Sequence, residues 1–330
     1  MKRSATGHPR ILLMRGGAIG DFVLTLPALQ LLRERWPQSY IELVGYPHIA
    51  ALALEAGMAD AVSSMHRADV ARLFVPRAAL PEEQRRAIRS FDLVITYFYD
   101  PDDIVRRNLL AAGAHQVIYA DPIVRGRHAI DHLVQPLEDL ALYPEAEPAP
   151  LLTLRAGTLR EGQCRVAAVG AQVVVLHPGS GSPRKNWPLE RFADLAQGIA
   201  AAGRQPLFLL GEAEGDCGDR LDALAPGLPR LQGLDLVDVA AVLRAASAYV
   251  GNDSGITHMA AAVGTPVVAL FGASDPALWG PRGSHVTILQ PAGAGSEGPA
   301  GVDVDRVRGA VADCSSSSTC GPIRRPRRRI

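Results

Sequence analysis

The sequence predicts an α/β protein of two doubly wound domains with a cleft between them, and three observations carry that prediction. Short apolar runs alternate with helical stretches along most of the chain, the order of a parallel sheet covered on both faces. The alternation is interrupted once, at Pro144-Glu-Ala-Glu-Pro-Ala-Pro150, and then restarts. The stretch Val250–Gly272 reads as a strand end, a polar turn at Gly251–Gly255, a small-residue helix from Ile256 to Val263 and a fully apolar strand from Val267 to Phe271, which is a βαβ unit. A chain of 330 residues suits two domains of ordinary size. The expected boundaries are 1–150, 151–314 and a basic tail at 315–330.

In the first half, Arg10–Met14 reads as a buried strand, Phe22–Arg35 as a helix with apolar residues at Val23, Leu26, Leu29 and Leu32, and Tyr40–Gly45 as the next strand. Ile49–Glu55 reads as helical, and Ser63–Leu80, without a clean period, as a long mobile loop. A polar helix at Pro81–Ser90, strands at Phe91–Thr96 and Gln116–Tyr119, and helices at Asp103–Ala112 and His132–Leu142 follow. Beyond the linker, strands are expected at Val173–His177, Pro206–Gly211 and Val286–Leu289. Helices are expected at Leu189–Ala202, Asp216–Ala225, Val237–Ala246 and Val302–Ala312. Ligands of such sheets bind outside the carboxyl ends of the strands.

Composition narrows the class. Hydrophobic content of 48% with 21% charged residues is that of a soluble globular protein, and no apolar run reaches membrane-spanning length. The polar start, leading straight into a strand, carries no signal-peptide pattern. Cys164, Cys217, Cys314 and Cys320 have no CxxC spacing and read as reduced thiols of a cytoplasmic protein. Formal net charge is zero, but five arginines (Arg324, Arg325, Arg327, Arg328, Arg329) crowd the last seven residues. The bland reading of that tail is disorder; the sharper one is a polybasic contact with anionic lipid or another polyanion. No nucleic-acid partner is expected.

Four loops hold the candidate chemistry. Gly16-Gly-Ala-Ile-Gly-Asp21 lies between first strand and first helix but is not G-x-G-x-x-G, and no acid closes the second strand, which disfavours a dinucleotide-dependent dehydrogenase. Asp21 is either an N-cap or a general base near an incoming hydroxyl. In His177-Pro-Gly-Ser-Gly-Ser-Pro-Arg-Lys-Asn-Trp-Pro188, Gly179 and Gly181 free the backbone to wrap an anion, Ser180 and Ser182 add hydroxyls, and Lys185 adds a point charge. The bland alternative is a polar loop with a packing tryptophan. Glu212 or Glu214, after another strand, is either a ribose-binding carboxylate or part of a charged helix start.

In the βαβ stretch, Asp253 or Ser254 can cap the helix, whose free N–H groups then make a seat for phosphate. His258, one turn in, reaches the phosphates or fills a polar niche. No HExxH, DxD or Cys/His cluster points to a metal, and there is no G-x-S-x-G elbow.

Taken in order, Arg15–Leu29, His177–Gly181 with Lys185–Pro188, Gly211–Glu214 and Asn252–Gly272 resemble the heptosyltransferases of glycosyltransferase family nine. The resemblance implies two Rossmann-like domains facing across a cleft, the GT-B arrangement, and inverting transfer without a metal or other cofactor. It also implies an ADP-activated heptose donor and a lipid-linked, anionic saccharide acceptor of the lipopolysaccharide core. On matching positions it makes Asp21 the catalytic base. Ser180, Gly181 and Lys185 become the phosphate-binding loop, Glu214 the approximate ribose carboxylate, and Asp253, Ser254, Gly255 and His258 the donor-binding helix start. Lys185 would also stabilise the departing diphosphate. Two departures stand out: Gly16-Gly17 in the first loop, and the Arg-rich tail. The alternatives are a member with another nucleotide-sugar or acceptor, and a nucleotide-sugar-binding protein without catalysis. The arginines between Arg67 and Arg89, with Arg106, Arg107, Arg125 and Arg127, either meet an anionic acceptor or form a solvated basic face.

Overall fold

The structure, a computed structural model, describes residues 7–211, 217–292 and 298–316, with side chains to residue 314. Glu212, Glu214, Cys320 and the arginines of the tail therefore lie outside the described residues. The chain divides into two compact units at Arg155 and Ala156, a few residues past the proline-rich stretch.

The first unit runs β1 (Arg10–Met14), α1 (Ile19–Arg35), β2 (Tyr40–Gly45), α2 (Pro47–Glu55), β3 (Ala61–Ser64), α3 (Ala68–Arg72), α4 (Glu82–Arg89), β4 (Leu93–Thr96), α5 (Ile104–Ala111), β5 (Val117–Tyr119) and α6 (Ala129–Val134), which continues as a 3-10 turn to Leu140. Its strands form one parallel sheet in the order β3-β2-β1-β4-β5. Ile11, Leu13, Leu93, Val94 and Ile95 are fully buried, as the unbroken apolar runs demand of central strands covered on both faces.

The second unit runs α7 (Ala156–Val169), β6 (Val173–His177), α8 (Leu189–Ala201), β7 (Gln205–Leu210), α9 (Cys217–Leu224), β8 (Arg230–Gln232), α10 (Leu236–Ala245), β9 (Ala248–Asn252), α11 (Gly255–Ala262), β10 (Val267–Leu270), α12 (Pro276–Trp279), β11 (Val286–Leu289) and α13 (Val304–Ser316). Its sheet is parallel throughout, in the order β11-β10-β9-β6-β7-β8. A core of Val174, Leu176, Phe192, Phe208, Val250 and Leu270 lies on one side of it.

Both sheets reverse direction of growth at their centre. In the first unit β1 lies beside β4, and in the second β6 lies beside β9. At such a point the connections leave toward opposite faces of the sheet and open a crevice at the carboxyl edge. The loops after β1, β6 and β9, three of the four singled out from sequence, flank these two crevices.

Several expectations are corrected. Ser63–Leu80 is not a long loop: β3 extends the sheet, paired with Glu42–Gly45, and α3 follows. Asn108, buried on α5, donates from Nδ2 to the carbonyls of Leu73 (2.9 Å) and Val75 (2.8 Å) and pins the segment. Four half-buried residues, Ala-Val-Ser-Ser, carry no strand period, so β3 is visible only through its partner. Helix α7 was unforeseen because two glycines and a polar surface obscure its pattern; it buries Gly162 and Val166 and packs on α10, with Gly162 against the carbonyl of Ala241. Edge strand β8 and the single turn α12 are too short to show a period.

Candidate active site

The candidate residues fall in two places, one in each unit. In the first, Arg15 follows β1 and the chain turns through Gly16 and Gly17 into α1. The helix starts three residues earlier than expected, at Ile19 with Ala18 as N-cap, so Asp21 is the third helical residue and not the cap. Ala18 has no side-chain oxygen, and only the returning half of a capping box forms: Asp21 Oδ2 accepts from the Ala18 N–H at 2.9 Å. Gly17 has φ +98°, and a Cβ there would stand 2.8 Å from Asp21 Oδ2. The glycine is what lets the carboxylate fold back over its own loop.

Arg15 received no role of its own from the sequence. It is 5% exposed, donates from Nη2 to the Asp21 carbonyl at 3.2 Å, and holds Nη2 3.5 Å from Asp21 Oδ1. Its guanidinium lies 5.8 Å from the centre of the buried Tyr97 ring. Burial pulls the Arg15 pKa down from its ordinary value, against the upward pull of Asp21. Burial likewise raises the Tyr97 phenol, whose hydroxyl donates to Leu133 O at 2.7 Å. The Asp21 carboxylate, 38% exposed, thus has one oxygen on a backbone N–H and the other beside a buried cation. It is oriented and partly open to solvent.

The second place is the β6/β9 switch point. Strand β9 continues through Gly251 and Asn252, so the turn into α11 is only Asp253 and Ser254. Asn252 is fully buried and joins the two loops: Oδ1 accepts from the Trp187 N–H at 2.9 Å, and Nδ2 donates to Pro178 O at 2.7 Å. It holds both ends of the 178–187 loop against the start of α11. A motif residue without an assigned role at the sequence level is therefore the joint of the site. Trp187 does pack, edge-on to Phe192 at 5.0 Å, but its Nε1 also donates to Val302 O at 3.0 Å.

Of the two capping candidates, Ser254 is the cap: its Oγ accepts from the Thr257 N–H at 3.4 Å. Thr257 Oγ1 also donates to Asn252 O and lies 3.0 Å from the Tyr249 hydroxyl. Gly251 makes room for that hydroxyl, since a Cβ there would fall 2.2 Å from it. With His258 N–H bonded to Ser254 O at 3.3 Å, the N–H groups of Gly255 and Ile256 remain outside the helix's own hydrogen bonds. They face the turn with the positive end of the dipole, as an anion seat requires. His258 itself is buried in the first turn of α11.

The rest of the loop is internally ordered. Ser180 Oγ lies 2.6 Å from Asn186 Oδ1 and 2.7 Å from Ser182 O, and accepts from the Ser182 N–H at 3.2 Å. Gly181 has open space where a side chain would be. Lys185 closes a 3-10 turn and places Nζ 2.7 Å from Asp253 Oδ2. Most of the arginines considered for an anionic acceptor are already paired: Arg67 with Asp69, Arg85 and Arg89 with Glu82, Arg106 and Arg107 with Asp103, and Arg125 with Asp121. Among the described residues no group of three or more His, Cys, Asp or Glu side chains converges, and no helix is long and apolar enough to cross a membrane.

Two Rossmann-like parallel units in succession are the build of the GT-B class of glycosyltransferase folds. The chain belongs to glycosyltransferase family 9 (heptosyltransferase), whose model matches residues 111–297, more than half its length. It is 26% identical over 310 residues to lipopolysaccharide heptosyltransferase 1 of Pseudomonas aeruginosa, covering 83% of this chain and 81% of that protein. Among solved structures, Escherichia coli ADP-heptose lipopolysaccharide heptosyltransferase II has a TM-score of 0.76 at 18% identity, over 93% of this chain and 98% of that one. An Escherichia coli heptosyltransferase solved with ADP has a TM-score of 0.70 at 18% identity, over 92% and 99%. The protein is a glycosyltransferase of this fold and family.

Proposed function

We propose that this glycosyltransferase moves a heptose-like sugar from an ADP-sugar to a hydroxyl of a lipopolysaccharide core-type acceptor, inverting the anomeric centre without a metal ion. The observation that carries the reading is the β6/β9 switch point, where Asn252 joins a Gly/Ser/Lys loop to the open start of α11. Support for the sugar and acceptor comes from the names of the relatives, and for the nucleotide from the ADP-bound relative.

In this reading residues 1–150 serve the acceptor and residues 151–314 the donor. Asp21 removes the proton from the acceptor hydroxyl. The oxygen attacks the anomeric carbon from the face opposite the nucleotide, the bond from that carbon to the diphosphate oxygen breaks, and ADP leaves with the electron pair. Negative charge develops on the diphosphate, and Lys185 with the Gly255 and Ile256 N–H groups meets it where it forms. Ser254 shapes the helix start. Glu214 is assigned to the ribose by position alone. The acceptor's lipid end would bring the enzyme to the cytoplasmic face of the inner membrane.

Calorimetry of the full chain against ADP, UDP and GDP, with and without a chelator, tests the donor. ADP should bind most tightly and the chelator should change neither affinity nor turnover. Equal affinity for the three would remove the ADP assignment, and chelator-sensitive turnover the metal-free one. Anomeric configuration of the product, read by NMR, decides inversion.

A further inference from the structure

Lys185 and Asp253 meet where the loop after β6 and the turn after β9 converge. Lys185 Nζ lies 2.7 Å from Asp253 Oδ2. The two partners differ in freedom: the Asp253 side chain is 8% exposed and sits between a strand end and a helix cap, while Lys185 is 35% exposed on a flexible stem. Asp253 Oδ2 is buried, and no described group gives it an aligned hydrogen bond. The contact with the ammonium is thus an ion pair and not a well-directed hydrogen bond. A buried carboxylate so placed depends on that cation.

A diphosphate at the start of α11 would draw on the same ammonium. We propose that Asp253 and the nucleotide's diphosphate compete for Lys185. The ammonium rests on Asp253 in the empty enzyme, moves to the diphosphate when nucleotide arrives, and returns to Asp253 as ADP leaves. Asp253 is in this sense a positioning residue, and it sets how fast ADP is released. The inference rests on the reading of the β6/β9 site as the nucleotide site. Its value to catalysis follows from charge. The diphosphate carries more negative charge once the bond to the sugar has broken, so the product draws the lysine more strongly than the substrate does, and a carboxylate that takes the ammonium back offsets that attraction and speeds the departure of ADP. Without a competitor, the product would hold the lysine hardest.

A double-mutant cycle tests the exchange. ADP affinity is measured by calorimetry, and ADP dissociation by stopped-flow displacement, for the parent, Asp253→Asn, Lys185→Met and the double variant. Asp253→Asn should tighten ADP by about tenfold and slow its release by a similar factor, and the same change in the Lys185→Met background should matter by less than about twofold. Equal tightening in both backgrounds would mean that Asp253 merely repels the phosphates, and would overturn the exchange. Weakened or unchanged ADP binding in Asp253→Asn would overturn it as well. Asp253→Ser, with a melting temperature measured alongside, keeps the test intact should the asparagine variant fold poorly. A parent that does not bind ADP, or a Lys185→Met variant that binds it undiminished, removes the nucleotide-site reading instead. An additive cycle in an enzyme that binds ADP removes the exchange alone.

Discussion

Arg15 donates to the main-chain carbonyl of Asp21 at 3.2 Å and stands 3.5 Å from its carboxylate, so the end of β1 and the first turn of α1 are closed on each other by one buried cation. The carboxylate is held by the strand it follows as well as by the helix it belongs to. Each part of that arrangement has a measurable consequence.

Asp21→Asn keeps the shape, and its amide still presents an oxygen to the Ala18 N–H, but it cannot take a proton. Turnover should disappear while ADP affinity stays at the parent value, because the proposed nucleotide seat is built from residues of the second unit. Initial rates and calorimetry check this, and parent-like turnover would remove Asp21 as the base.

Arg15→Met retains much of the buried volume and deletes the cation. The carboxylate loses its partner at Oδ1, and turnover should fall by about 100-fold, the effect expected when a reacting group drifts by about 1 Å. Arg15→Lys should recover part of the rate, since charge is restored without the second nitrogen of the fork. Equal rates in the methionine and lysine variants would show that Arg15 acts by filling space.

Gly17→Ala places a methyl against the carboxylate in a backbone conformation with positive φ. The substitution should destabilise the protein by about 1–2 kcal/mol and cut turnover by far more than that loss implies. Urea midpoints and initial rates, measured together, separate the two effects.

Asn252→Ala leaves the Trp187 N–H and the Pro178 carbonyl without their partner in a buried place. A loss of about 2–4 kcal/mol is expected, with weaker ADP binding as the 178–187 loop comes away from α11. Chemical denaturation and calorimetry measure the two outcomes. A stable variant with undiminished ADP affinity would show that Asn252 does not organise the site.

Much of this was legible in the linear chain, for identifiable reasons. The central strands β1, β4, β6 and β10 are apolar runs buried on both faces, and such runs announce themselves without tertiary information. The capped turn before α11 was legible because capping is local chemistry between residues three apart; only the choice between Asp253 and Ser254 needed coordinates. Strands β3 and β8 were not legible. Each is short and partly exposed, and each is made a strand by the neighbour it pairs with: Glu42–Gly45 for β3 and Phe208–Leu210 for β8. The start of α1 was misplaced because Gly20 and Asp21 read as loop residues although Ile19 falls on the apolar face four positions before Val23, and what extends the helix to them is Asp21 reaching back to Ala18.

The sequence by itself determined the two-fold α/β alternation, the loops at the carboxyl ends of β1, β6 and β9, and the family to which their order belongs. Each rests on patterns a few residues long, whose physics is local. Only the tertiary structure decided that Asn252 joins two loops, that Arg15 steadies Asp21, and that Lys185 rests on Asp253. The joint and the Lys185 pair link residues some 65 to 75 positions apart, and Arg15 reaches Asp21 only because the chain folds back at Gly17. They exist because parallel strands bring distant loops to one edge, where burial makes an unpaired charge or amide too costly to leave alone.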